Sequence, residues 1–255
     1  MNFAICRVPA APVRREPSHR SEMVNQLLFG ETMEVLEENG AWLKIISTCD
    51  RYEGWVTFHL VEPANSHLAE NPARYVSSQL VSNITSGSGN FLIPGGSFLA
   101  EFDEKSGKLW NAEFQFKGDY ADASAARPEK LISVARQWIN VPYLWGGKTL
   151  MGIDCSGFVQ TVFRICGIHL KRDAWQQEEQ GTLVTGEALE GDVAFFHNDQ
   201  GRVVHVGILV SPHQIIHASG KVRIDELNET GIQNNELKKL THHLHSIKRM
   251  TVSGK

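Results

Sequence analysis

Residues 154–167 read Asp-Cys-Ser-Gly-Phe-Val-Gln-Thr-Val-Phe-Arg-Ile-Cys-Gly and decide the fold of the C-terminal half of the chain. Apolar residues recur there at helical spacing, and Gly167 is a typical helix stop. The pattern predicts a helix that begins at or next to Cys155. A helix N-terminus offers free backbone N–H groups and a positive dipole end, which together favour a cysteine thiolate.

The residues around this helix predict an α+β domain over residues 125–255. An amphipathic pattern over residues 131–138 predicts an earlier helix, and the small polar segment before Pro128 marks the main domain boundary. After the cysteine helix the period changes to that of strands. Helices followed by strands are typical of an α+β layout.

Residues 1–124 consist of short β-rich runs broken by turns. Runs such as residues 32–37 and 42–46 favour a small barrel over residues 1–64. Short apolar pieces punctuated by glycines favour a second small barrel over residues 65–124. Two β-barrels are therefore expected before the α+β domain.

The composition excludes several classes of protein. A formal net charge of −4 gives no cationic surface for nucleic acid or anionic lipid. The first fifteen residues hold no apolar run long enough for a signal peptide or a membrane span. We therefore predict a soluble, cytoplasmic protein with no nucleic-acid or membrane partner. Four cysteines at unrelated spacings indicate no disulfide framework.

His205 is the leading candidate for the base that a nucleophilic Cys155 needs. It lies in the apolar run Val203-Val-His-Val-Gly-Ile-Leu-Val, where a polar ring must face a site or find a partner, as a core histidine also can. A three-residue turn at positions 211–213 would place His217 on the same sheet face as His205, whereas a two-residue turn would separate them. On one face, His217 could orient His205 as the third member of a triad.

Oxyanion donors and metal ligands are the other chemistry to consider. The backbone N–H of Cys155 and the Tyr143 hydroxyl are candidate oxyanion donors, although Tyr143 fits a core aromatic equally well. A zinc site built by Cys155, His205 and His217 is a rival hypothesis. The run His242-His243-Leu244-His245 lacks metal-ligand spacing and is predicted to be a solvated loop. We predict no metal and no cofactor.

Six blocks of sequence resemble the NlpC family of papain-like cell-wall cysteine peptidases, in the family's order. The blocks are Pro142-Tyr-Leu-Trp-Gly-Gly, Asp154-Cys-Ser-Gly-Phe-Val, Arg172-Asp-Ala-Trp-Gln-Gln, Gly191-Asp-Val-Ala-Phe-Phe, His205-Val-Gly-Ile and Ile216-His-Ala-Ser. The first barrel resembles a bacterial SH3-like domain. The resemblance implies a papain-like domain over residues 125–255, preceded by SH3-like domains over residues 1–64 and 65–124, as in members that recycle murein peptides.

The resemblance also implies roles for individual residues. Cys155, His205 and His217 would form the triad, with Tyr143 beside the oxyanion. Asp154 matches an aspartate that binds the free α-amine of the substrate. A carboxylate beside the nucleophile would raise the thiol pKa unless an ammonium neutralised it, which agrees with that role, although Asp154 could equally be a helix cap.

Further substrate-binding positions follow from the same resemblance. Ser156 and Trp145 match residues that line the D-glutamyl subsite, and Glu22 and Tyr52 match residues that close the amine pocket. Alone, Glu22 would be read as a solvated surface charge. Ala174 stands where relatives have a substrate-binding serine, so the α-carboxylate of D-glutamate would lose a hydrogen bond there.

The expected reaction is hydrolysis of the γ-D-glutamyl-L-diamino acid bond in murein tripeptides and tetrapeptides with a free N-terminal L-Ala. The diamino acid would be diaminopimelate or lysine, the reaction would pass through a thioester, and the role would be murein recycling. One alternative is an amidase or acyltransferase on the same fold, because another nucleophile can resolve a thioester. The other is a non-catalytic wall-peptide-binding protein, against which the three retained triad residues argue.

Overall fold

Alternating apolar residues in the first 64 positions form seven antiparallel strands in the computed structural model, which describes residues 1–87, 89–109 and 112–250. The strands are β1 (Phe3–Cys6), β2 (Ala10–Arg14), β3 (Met23–Leu28), β4 (Thr32–Asn39), β5 (Trp42–Ser47), β6 (Glu53–Thr57) and β7 (Val61–Ala64). Their order in the sheet is β3-β2-β6-β5-β4-β1-β7. Every second residue of β2 is buried, as expected for a strand with one face on a core.

The next stretch adds one short helix and two smaller sheets. The elements are α1 (Ser66–Glu70), β8 (Tyr75–Ser77), β9 (Val81–Ser86), β10 (Gly89–Pro94), β11 (Phe98–Leu99), β12 (Ser106–Leu109), β13 (Ala112–Lys117) and β14 (Tyr120–Asp122). The sheet orders are β10-β9-β13-β12 and β11-β8-β14. Ile5 and Phe29 of the first sheet share an apolar core with Ile84 and Phe114. Residues 1–125 therefore belong to one compact unit, together with residues 145–150 and β15 (Lys148–Thr149).

The predicted boundary at residue 64 and the predicted second barrel stay predictions. The second compact unit contains residues 126–144 and the chain from residue 151 onward. Its predicted start at residue 125 lies one residue from this division.

The second unit carries its helices first. They are α2 (Leu131–Gln137), α3 (Cys155–Ile165) and α4 (Ala174–Glu178), with the short strand β16 (Gly152–Ile153) before α3. Seven strands follow: β17 (Thr182–Leu183), β18 (Val193–His197), β19 (Val203–Ser211), β20 (Gln214–Ser219), β21 (Lys221–Asn228), β22 (Gly231–Asn234) and β23 (Lys239–Arg249). This order of elements is the α+β layout predicted for the domain. Strands nevertheless dominate the described chain, so the α+β description is confirmed only in part.

The antiparallel sheet of the second unit closes on itself. Its order is β17-β23-β18-β19-β20-β21-β22, and β22 also pairs with β23. Phe196, Leu209 and Leu227 belong to its buried apolar cluster. Helix α3 packs against β19 and β20, which brings the cysteine to the strand that carries His205.

Residues 242–245 are not the solvated loop that their polarity predicted. They lie within β23, which pairs with β18 and β22. Leu244 and Ile247 pack against the apolar cluster of the sheet, and this burial holds the strand in place. Within the described ranges, none of the helices is long and apolar enough to span a bilayer.

Candidate active site

Cys155 is the first helical residue of α3, as the sequence predicts. Asp154 is the N-cap, and its Oδ1 accepts a hydrogen bond of 2.7 Å from the backbone N–H of Gly157. A carboxylate at this position satisfies one of the free donors of the first turn. The cap therefore fixes where the helix starts and where the thiol lies.

The thiol of Cys155 is buried, with the side chain 6% exposed. Burial, followed by the negative charge of Asp154, raises the pKa of this thiol to about 12. The backbone N–H groups of Ser156 and Val206 and the positive charge of Arg172 act in the opposite direction but do not compensate. The predicted neutral-pH thiolate is therefore wrong for the free protein, because desolvation outweighs the helix N-terminus.

A bulge in β19 brings His205 and His217 together. The turn between β19 and β20 contains only two residues, Pro212 and His213, which by itself would separate the histidines. The pairing shifts between Leu209 and Ser211, however, so one extra residue in β19 restores the common face. His205 Nε2 then lies 2.8 Å from His217 Nδ1, within hydrogen-bond distance.

Both imidazoles are buried and uncharged at neutral pH. Burial, together with the neighbouring His217 and His242, lowers the pKa of His205 well below its ordinary value. Burial also lowers the pKa of His217, against the opposing influence of Asp225. His242 stacks on His205, with ring centroids 4.1 Å apart and planes inclined by 24°. Histidine 242 therefore forms a wall of the site.

The thiol of Cys155 lies against the main chain of β19, where the Val206 N–H is its neighbour. Val206 directly follows His205. Within the described residues the thiol and the His205 ring form no hydrogen bond with each other. Such bonds in substrate-free enzymes are often long and tighten only when substrate binds. The triad assignment therefore stays a proposal that rests on this placement.

Arg172 joins Asp154 and Ser156 in a buried network that the sequence reasoning missed. Its Nη1 and Nη2 donate to the two Asp154 carboxylate oxygens at 3.0 and 2.7 Å, and Nη1 donates to Ser156 Oγ at 2.9 Å. The arginine is 1% exposed. Asp154 therefore has a positively charged partner in the free protein, and its role toward a substrate amine stays a prediction. The available signal for this partner was the charge of Arg172 in the block Arg172-Asp-Ala-Trp-Gln-Gln.

Tyr143 lies near the nucleophile. It is half-buried, and its N–H donates to the carbonyl of Gly220 at 2.9 Å. Burial, followed by the nearby charges of Cys155 and Asp154, raises the pKa of its hydroxyl. The hydroxyl therefore stays protonated and can donate a hydrogen bond, as an oxyanion donor must.

Two of the predicted substrate-binding residues meet in the first unit. Trp145 Nε1 donates to Glu22 Oε1 at 2.7 Å, and the other Glu22 oxygen lies 2.7 Å from Arg15. Gly146 follows with a φ of +75°, a left-handed value, and a Cβ there would lie 2.5 Å from the Met23 carbonyl oxygen. Glu22 is therefore an engaged carboxylate and not a freely solvated charge.

Tyr52 and Ala174 are the remaining predicted positions. Tyr52 is half-buried, and its N–H donates to Asp50 Oδ1 at 3.1 Å. Ala174 is the buried first residue of α4, where the Gln176 side chain accepts from the N–H of Asp173. Their roles toward a substrate stay predictions.

Asp225 is a second residue that sequence reasoning missed. It lies on β21, fully buried, with Oδ2 3.1 Å from His217 Nε2. Arg223 Nη2 and the Asn235 N–H donate to its Oδ1, each at 3.0 Å. The sequence did contain a signal for this residue: Asp225 lies in an alternating run, residues 221–228, that directly follows the predicted strand of His217. In the described ranges no group of three or more His, Cys, Asp or Glu residues could hold a metal ion.

Comparison with known families gives two matches. Residues 140–241 match the NlpC/P60 family, and residues 13–58 match the bacterial dipeptidyl-peptidase SH3 domain. The first match contains Cys155, His205 and His217, and the second contains strands β3 to β6 of the first sheet.

Individual relatives extend these matches. The chain is 27% identical over 252 residues to a γ-D-glutamyl-L-lysine dipeptidyl-peptidase of Bacillus cereus, covering 84% of this chain and 73% of the relative. It is 43% identical over 97 residues to the murein DD-endopeptidase MepS/murein LD-carboxypeptidase of Escherichia coli, covering 36% of this chain and 50% of the relative. A crystal structure of an NlpC/P60 family protein from Bacillus cereus shares the fold, with a TM-score of 0.78 at 20% identity over 97% of this chain and 99% of that one.

Proposed function

We propose, on the premise that residues 140–241 form an NlpC/P60 cysteine peptidase domain, that this chain cleaves γ-D-glutamyl-L-diamino acid bonds. The substrates would be murein tripeptides and tetrapeptides with a free N-terminal L-Ala. The likeness to the γ-D-glutamyl-L-lysine dipeptidyl-peptidase supports the choice of bond. A role in murein recycling and a cytoplasmic location are further parts of the proposal.

One observation carries the proposed chemistry. His205 Nε2 and His217 Nδ1 are 2.8 Å apart in a buried sheet, and the thiol of Cys155 lies against Val206, the residue next to His205. A nucleophile, a base and a group that orients the base are the parts that acyl transfer through a covalent intermediate requires.

The reaction begins with a neutral thiol and a neutral imidazole. Because burial keeps the thiol protonated, His205 removes its proton as the sulfur attacks the γ-glutamyl carbonyl carbon. The carbonyl oxygen becomes an oxyanion, toward which the Cys155 N–H and the Tyr143 hydroxyl donate. His205 then gives its proton to the departing amino group, and the carbon–nitrogen bond breaks.

Water completes the cycle. His205, neutral again, removes a proton from a water molecule that attacks the thioester carbonyl. The carbon–sulfur bond breaks, the thiol regains a proton, and L-Ala-D-Glu leaves. Arg172 holds Asp154 and Ser156 through both reactions, so the start of α3 does not move.

We expect mass spectrometry to detect L-Ala-D-Glu and free L-lysine from L-Ala-γ-D-Glu-L-Lys, and much slower release of lysine from the N-acetylated peptide under the same conditions. The kcat/KM for the free peptide should exceed that for the acetylated peptide by roughly tenfold or more, since a hydrogen bond to a charged group contributes about 1.5–3 kcal/mol. Asp154 is the carboxylate proposed to bind the amine beside its partner Arg172, so this ratio should fall in Asp154→Asn.

Two results would contradict the proposal. Equal rates on free and acetylated peptides would show that the free amine is not recognised. Cleavage of the peptide by Cys155→Ala would show that Cys155 is not the nucleophile. Transfer of L-Ala-D-Glu to added amines in preference to water would favour the acyltransferase alternative.

A further inference from the structure

The hydrogen bonds of His205 do not stop at His217. His217 Nε2 lies 3.1 Å from Asp225 Oδ2, and Arg223 Nε lies 2.8 Å from the same oxygen as an ion-pair contact. His217 and Asp225 are fully buried. The sheet therefore contains a continuous line from a carboxylate through two imidazoles.

Asp225 is ionised within this line. Burial alone would raise its pKa, but hydrogen bonds from His217, the Asn235 N–H and Arg223 outweigh burial and lower the pKa below the ordinary range. An ionised carboxylate can only accept hydrogen bonds. His217 must therefore carry its proton on Nε2.

The remaining protons follow from this one. A neutral His217 with its proton on Nε2 has a lone pair on Nδ1, which can only accept. His205 must then donate from Nε2, so its own lone pair is on Nδ1. Nδ1 of His205 is therefore the nitrogen that can accept the proton of the Cys155 thiol.

We propose, on the basis of the proposed function, that Asp225 is a positioning residue that fixes both imidazoles with their protons on Nε2 and keeps Nδ1 of His205 free as the base. Asp225 touches neither the thiol nor the substrate. It acts through His217, and Arg223 holds its carboxylate in register with the ring.

Asp225→Asn tests the proposal because the structure decides how the amide would turn. Oδ1 accepts two hydrogen bonds, from Arg223 Nη2 and the Asn235 N–H, so the amide oxygen takes that place. The amide NH2 then faces His217 Nε2 and donates to it. His217 must move its proton to Nδ1, and His205 must in turn carry its proton on Nδ1, where the base is needed.

We expect imidazole nitrogen NMR of the histidine-labelled protein to show both rings protonated on Nε2 at pH 7, and both on Nδ1 in Asp225→Asn. We expect kcat/KM for the tripeptide to fall by up to roughly 10⁴-fold, since the aspartate-to-asparagine change in a serine-protease triad lowers kcat by about 10⁴-fold. Alkylation of Cys155 by iodoacetamide at pH 7 should also slow, because the base no longer accepts the thiol proton.

Asp192→Asn is the matched control. Asp192 is 2% exposed and pairs with Arg249 at 2.7 and 2.8 Å in the same unit. Within the part of the chain that the structure describes, its carboxylate forms no hydrogen bond or ion pair with His205 or His217. This variant loses an equivalent ion pair and should keep the wild-type tautomers and alkylation rate. If kcat/KM and the alkylation rate fall by the same factor in both variants, Asp225 has only a structural role and the proposal is overturned.

The wild-type spectrum decides the matter even if Asp225→Asn fails to fold. A native His217 protonated on Nδ1 would overturn the proposal without any variant. Tautomers and alkylation rates as expected, in a chain that does not cleave the tripeptide, would uphold the role of Asp225 and reject the proposed substrate instead.

Discussion

At the scale of single residues, burial governs the chemistry of the site. Cys155 gains from the helix N-terminus but loses more through desolvation, so its thiol stays protonated. The same burial keeps His205 unprotonated well below its ordinary pKa. Both groups are therefore neutral at pH 7, and in the proposed mechanism the proton moves as the sulfur attacks.

This neutral pair has a spectroscopic consequence. We expect the ultraviolet absorbance of Cys155→Ala, subtracted from that of the unmodified chain, to show no thiolate at pH 7. Because the pKa is raised to about 12, thiolate absorbance should grow only as the pH rises above the ordinary thiol value. A difference absorbance at pH 7 equal to one thiolate per chain would contradict the neutral pair and indicate an ion pair with a protonated imidazole.

Some residue assignments could be made from sequence and others could not. Cys155 was found because helical spacing of the apolar residues that follow it predicts a helix start without tertiary information. The pKa of the Cys155 thiol could not be predicted, because the burial of a thiol depends on which residues pack over it. Arg172 and Asp225 were missed for a related reason: a charge in sequence shows neither its partner nor its depth.

At the scale of elements, the pairing of β19 with β20 positions His205, the proposed base. The bulge between Leu209 and Ser211 adds the one residue that a two-residue turn lacks, which puts His205 and His217 on one face. The sequence showed that the common face depends on the length of the loop. It could not show which arrangement forms, since a bulge has no distinct amino-acid composition. β21, which delivers Asp225, pairs next to β20.

Gly207 is the residue that lets these strands approach. It pairs with His217, and a Cβ at this position would lie 2.8 Å from His217 Cβ. We expect Gly207→Ala to push His217 out of line, lowering kcat/KM by roughly tenfold to a hundredfold and stability by about 1–3 kcal/mol.

Gly186→Ala provides the control for this substitution. Gly186 is exposed, and a Cβ there would meet nothing within 4 Å. Its kcat/KM and thermal midpoint should match those of the unmodified chain. If Gly207→Ala behaves in the same way, close packing at Gly207 does not position His217.

At the scale of the whole molecule, the chain combines two units whose roles differ. The second holds the cysteine, both histidines and Asp225, and the first holds Glu22, Tyr52 and Trp145. The order of helices and strands in the second unit was predictable from periodicity. The shared core of Ile5, Phe29, Ile84 and Phe114 was not, because apolar runs do not reveal which sheets pack together.

The proposed covalent catalysis by Cys155 makes a prediction about products. Lysine-containing and diaminopimelate-containing tripeptides differ in their leaving groups but would form the same L-Ala-D-Glu thioester. Hydroxylamine added during turnover would intercept that thioester as a hydroxamate, in competition with water.

The measurement is the ratio of hydroxamate to L-Ala-D-Glu from the two tripeptides at one hydroxylamine concentration. We expect the same ratio from both, because both pass through one acyl-enzyme, and neither product from Cys155→Ala. A ratio that changes with the leaving group, or hydroxamate formation without the Cys155 sulfur, would contradict a thioester on Cys155.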